Sequence, residues 1–130
     1  MSDNILFWID SVLIQFGIAK SIQDKNNANL YAIFDISQSM KNLFENQKIV
    51  NFQKEWYFWD NVKIEKRQPD IKYLESFEKK YKINIWMISN IEATFSSRNQ
   101  YHKFGHDEIL LILEKECKFF EKILEEIKPK

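Results

Sequence analysis

Glycine and cysteine are both scarce in this chain, and each scarcity excludes something. Two glycines, Gly17 and Gly105, occur in 130 residues, so a glycine-rich phosphate cradle is excluded. One cysteine, Cys117, excludes an intrachain disulfide and a multi-cysteine metal site. Following Glu116 in a helical pattern, it reads as a packing thiol. A lone unpaired thiol also fits a reducing cytoplasm. No apolar run approaches the ~20 residues that span a bilayer. The N-terminus MSDNILFWID lacks the basic and apolar regions of a secretory signal. The chain therefore reads as cytoplasmic, with no transmembrane segment. Lys+Arg and Asp+Glu both total 19, which removes overall attraction to nucleic acid, and none is expected as a partner.

What is present is an ordinary globular composition, 45% hydrophobic and 29% charged. Its length predicts one domain over 1–130. A continuous apolar run over 4–9 suits a strand buried on both faces, as in a parallel sheet. Asp10 and Ser11 follow with oxygens that can cap a helix. Val12, Phe16, Ala19 and Ile22 then recur at helical spacing. A second run, 29–34, stops at Asp35, and a short helix follows with Met40, Leu43 and Phe44 on one face. A third run, 55–59, is aromatic and closes at Asp60. This alternation argues for βαβ units and a parallel sheet. A polar loop over 62–68 ends at Pro69. Asp70 starts a helix carrying Ile71, Leu74, Phe77 and Tyr81. The run 83–91 fits either strand or helix, because short apolar runs do not separate the two, and it is read as strand. Residues 92–104 are irregular. Ile109, Leu113, Phe120, Leu124 and Ile127 predict a long final helix over 107–127, stopped by Pro129.

Three acids terminate the three early strands: Asp10, Asp35 and Asp60. Ligands of open α/β sheets bind outside the carboxyl ends of the strands, so these acids could accept hydrogen bonds from sugar hydroxyls, hold a metal or act as general bases. The same residues also suit turns and helix caps. Ser11 joins the candidate set beside Asp10. Arg98 stands out because the only other arginine is Arg67, and arginine is the better bidentate partner for carboxylate or phosphate. His102 and His106 are four apart, but Gly105 lies between them and no HExxH pattern surrounds them. They read as surface or cap histidines, with His102 kept as a ligand-binding candidate. No metal and no cofactor is implied, and no catalytic residue is identified. The aromatic run 56–59 could stack on sugar rings or bases, although alternating core packing accounts for it as well. The basic stretch 63–67 reads as a solvated loop.

The ordered pieces NILFWID, FGIAKSIQDK, NLYAIFDIS, FENQKIVNF, YLESFEKKYKINIW and EILLILEKECKFFEKILEEIKP resemble the N-terminal segment of capsule-polysaccharide-biosynthesis-type proteins. Those in turn resemble B-type glycosyltransferases with two Rossmann-like domains. The resemblance implies a Rossmann-like three-layer half-domain with a short parallel sheet and a long C-terminal helix. It implies the acceptor side of such a protein, with the nucleotide-sugar contacts carried by a second domain and no catalysis by this segment alone. The expected partners are a sugar or glycan acceptor and a second domain or a second copy. None of its motifs transfers a catalytic residue to this chain. The competing reading is a non-enzymatic interaction module, motivated by the aromatics and the missing catalytic signature. A flavodoxin-like nucleotide binder is disfavoured by the lack of glycine near Asp10 and Ser11.

Overall fold

The computed structural model describes residues 2–63, 65–91 and 103–130. The chain divides into two compact units, residues 1–61 with 123–130 and residues 62–122. The first unit holds β1 (Asn4–Ile9), α1 (Val12–Lys25), β2 (Asn29–Phe34), α2 (Gln38–Phe44), β3 (Lys54–Tyr57) and the single turn α3 (Phe58–Asn61). Its strands form a parallel sheet in the order β1-β2-β3. Ile9 stands opposite Phe34, and Phe34 opposite Tyr57, so the strands finish side by side.

Strand alternation sends Leu30, Ala32 and Phe34 to one face. There they meet Ile9, Phe16 and Ala19 of α1 and Phe44 of α2 in a single apolar cluster. On the opposite face Trp8 packs edge-on against Phe58 at 5.3 Å, and Tyr31 lies 6.4 Å from Trp56. The last turn of α6 (His106–Ile127) also belongs to this unit. Asn4 Nδ2 donates to the Ile127 carbonyl at 2.7 Å, and Glu126 pairs with Lys54.

The second unit contains α4 (Ile71–Tyr81), α5 (Ile85–Ile91) and α6 up to Lys122. Asp70 caps α4, its carboxylate accepting from the Tyr73 N–H at 3.0 Å. Gly105 donates its N–H to Glu108 Oε2 at 2.8 Å, one half of a capping box at the start of α6. Leu74, Ile85, Leu113 and Cys117 form the apolar centre, bordered by Tyr73, Phe77, Ile109 and Leu110. Cys117 is thus a packing residue. Burial, reinforced by nearby Glu116, Glu121 and Glu78, pushes its thiol up to about 12.

Several expectations are corrected. The third strand ends at Tyr57, and Phe58 and Trp59 belong to a helical turn. The run 83–91 contains a helix instead of a strand. The reason is local: Asn84 Oδ1 accepts from the Met87 N–H at 2.9 Å, and Glu78 Oε1 accepts from the Ile85 N–H at 2.7 Å. Those carboxyl and amide oxygens satisfy donors that a new helix leaves open. On α2 only Phe44 is buried, while Leu43 stays 65% exposed. On α6 the buried positions are Leu111, Ile112, Leu113, Glu114, Cys117, Phe119, Ile123 and Ile127, whereas Leu124 is exposed. No described helix is long and apolar enough to cross a membrane.

Candidate functional site

The carboxyl edge of the sheet collects the acids that end the early apolar runs. Asp10 follows β1 directly, Asp35 follows β2 directly, and Asp60 lies just beyond β3 within α3. The Asp35 N–H donates to the Ile9 carbonyl at 2.9 Å, which carries the pairing of β1 and β2 to the rim. Asp10, Ser11 and Asp60 are exposed, and Asp35 is half-buried.

Each acid has a different partner. Gln15, one turn into α1, organises the first: its Oε1 accepts from the N–H groups of Asp10 and Ser11 at 2.8 and 2.9 Å. Its Nε2 returns a bond to Asp10 Oδ1 at 2.7 Å. The expected side-chain cap at Ser11 is not made; Gln15 instead ties down the N–H groups just ahead of α1. Asp35 Oδ1 accepts from the Trp59 indole Nε1–H at 2.8 Å. This bond fixes an indole that is 46% exposed beside a carboxylate. Asp60 pairs with Lys41 of α2. Lys41 also lies 3.5 Å from Glu45 and 4.8 Å above the Tyr57 ring. The bond it donates to Asp60, with the Glu45 carboxylate nearby, holds the Lys41 ammonium above its usual range.

Behind the rim, Glu55 and Tyr57 form a pair that the sequence reading left out. The Tyr57 hydroxyl donates to Glu55 Oε2 at 3.5 Å. Burial, then the Glu55 charge, pushes the phenol up to about 12. Burial likewise raises the Glu55 carboxyl. An acid inside the aromatic run KEWYFWD was the available signal. Chemically, the rim offers fixed carboxylate acceptors, one ammonium donor and one accessible ring, a set suited to hydroxyl-rich ligands.

Arg98 and His102 lie outside the described residues. The described His106 is on the second unit, its Nδ1 3.5 Å from Asp107 Oδ1. Among the described residues no group of three His, Cys, Asp or Glu side chains could hold a metal ion.

The arginine with a defined role is Arg67, in the stretch expected to be a solvated loop. It grips the fully buried Glu114 with both terminal nitrogens. Glu114 Oε1 also accepts from the Asp70 N–H at 2.5 Å, and Lys118 approaches to 3.4 Å. The Arg67 bond, ahead of the Asp70 N–H, lowers the Glu114 carboxyl to about 2. This pair has a pH consequence. A carboxyl depressed on folding contributes stability above its unfolded pKa and loses it as pH falls through the folded one. The contribution of Glu114 is therefore complete above about pH 4.5 and lost toward about pH 2. It amounts to roughly 3 kcal/mol. Glu65 and Glu121 are lowered too and act in the same direction. Urea midpoints should fall between pH 7 and pH 3 in the native chain and fall less in Glu114→Gln. An equal fall in both would remove Glu114 from the acid response.

No family model, curated protein or solved structure matches this chain.

Proposed function

We propose that the chain is a Rossmann-like, acceptor-side domain related to the glycosyltransferases of surface-polysaccharide biosynthesis. In this reading it binds sugar hydroxyls at the carboxyl edge of its sheet and does not transfer sugar by itself. The observation that carries the reading is the exposed Trp59 indole, held by Asp35 at the end of a parallel strand. Carbohydrate recognition needs an apolar ring face next to fixed polar acceptors, and this pair supplies both. The strand-end acids support it further, because open α/β sheets take ligands outside the carboxyl ends of their strands.

The test is a titration of the full chain with a panel of neutral oligosaccharides and nucleotide sugars. At least one oligosaccharide should bind with millimolar affinity. Trp59→Ala should weaken it roughly tenfold, the scale of a lost stacking contact. Asp35→Asn should weaken it as well, while nucleotide sugars gain nothing from their nucleotide. Silence across the panel, or tight binding that needs the nucleotide, would refute the reading.

A second reading, the interaction module, has its own observation. Leu13, Ile14 and Ile18 of α1 are 90%, 69% and 50% exposed, on the side turned away from the core. Apolar side chains so exposed on one helix mark association surfaces. Under that reading the glycan titration is silent and light scattering reports an assembly larger than one chain.

A further inference from the structure

The second unit contains a cavity of about 290 Å³ between α4, α5 and the start of α6. Its floor is apolar: Leu74 and Ile85 are buried there, and Ile71 and Leu110 continue the lining. Trp86, 38% exposed, forms one wall, and its ring centroid lies 4.7 Å from that of His106. Two carboxylates complete it, Glu75 and Glu78. Ile71, Leu74, Glu75 and Glu78 follow the spacing of a single helical face, so α4 presents apolar floor and negative charge together.

Among the described residues no lysine or arginine lines the cavity. Glu78 uses Oε1 to accept the Ile85 N–H at 2.7 Å, which fixes its side chain in place. Negative charge, an aromatic face and an apolar floor make a complementary surface for one kind of ligand: a cation carried on an apolar body. An ammonium gains from a carboxylate and from an indole face, and a ring or alkyl chain gains from the floor. The volume sits at the small end of ligand pockets, which limits the ligand to a single ring or short chain.

We propose that this cavity is a binding site for small organic ammonium compounds, with Glu75 and Trp86 as the discriminating side chains. The site lies wholly within the second unit and is independent of the sugar-binding reading.

The experiment is an amide correlation spectrum of the full chain, titrated with 2-phenylethylamine, with 2-phenylethanol as the neutral isostere and with 3-phenylpropionate as the anionic one. The amine should shift the amides of Ile71, Glu75, Ile85, Trp86 and His106 and saturate. The alcohol should bind roughly fivefold to tenfold more weakly and the acid not measurably. Glu75 is exposed, so Glu75→Gln leaves the fold intact. It should weaken the amine about threefold to fivefold and leave the alcohol unchanged. Trp86→Leu should weaken both the amine and the alcohol. Equal affinity for amine and alcohol, an amine affinity indifferent to Glu75→Gln, or shifts scattered away from these residues would overturn the proposal. So would the absence of any saturating shift.

Discussion

Arg67→Ala should destabilise the second unit and lower its urea midpoint, because it leaves the Glu114 carboxylate in the interior without its guanidinium. Arg67 is itself 40% exposed, but the Glu114 charge it leaves behind is buried and keeps its desolvation penalty. The Asp70 N–H and Lys118 stay in place and limit the loss. Arg67→Lys should recover only part of it, as an ammonium cannot present two parallel N–H groups to one carboxylate. Replacing both residues with methionine should recover most of the stability, because no unpaired charge is then buried. Urea denaturation followed by circular dichroism measures all three. Hydrogen exchange should locate the loss in α4 and α6. A stability equal to the native chain in Arg67→Ala would mean that the guanidinium is dispensable.

Phe34→Ala acts on the other unit and is expected to cost about 3–5 kcal/mol, the scale of a large aromatic deleted from a packed core. Phe34 is 1% exposed. Its ring stacks on Tyr57 at 5.3 Å and on Phe44 at 5.9 Å, and meets Phe16 and Phe52 at about the same range. The deletion therefore removes contacts to α1, α2, β3 and the α2–β3 connection at once. Phe34→Leu should cost markedly less, since it keeps most of the apolar volume. Thermal unfolding of the two variants gives the comparison, and a small loss in Phe34→Ala would show that the cluster collapses around the gap.

The first unit was legible because its signals are local. Runs 4–9 and 29–34 are apolar without alternation and stop at an acid, and both are strands of a parallel sheet. Phe16 and Ala19 recur at helical spacing, and both are buried. The illegible features depend on distant partners. Arg67 meets Glu114 across 47 residues, and no local pattern marks that pairing. The bond from Trp59 to Asp35 spans 24 residues, so the aromatic run and the strand-end acid were seen separately but not as a pair. Run 83–91 was too short to show a period, and Asn84 was the only helix-start signal it carried. Gln15 carries no local signal of its role, although its amide holds Asp10 and Ser11. Leu43 and Leu124 followed the apolar spacing and still face solvent, because spacing sets a helix face but not how much of it is covered.

The most direct measurement is a residue-level map of where an oligosaccharide from the panel touches the chain, read from amide and indole N–H shifts on titration. The account predicts that the Trp59 indole signal and the amides of Asp10, Ser11, Asp35 and Asp60 move together and saturate at one concentration. Shifts confined to the exposed face of α1, with the Trp59 indole signal unmoved, would contradict it.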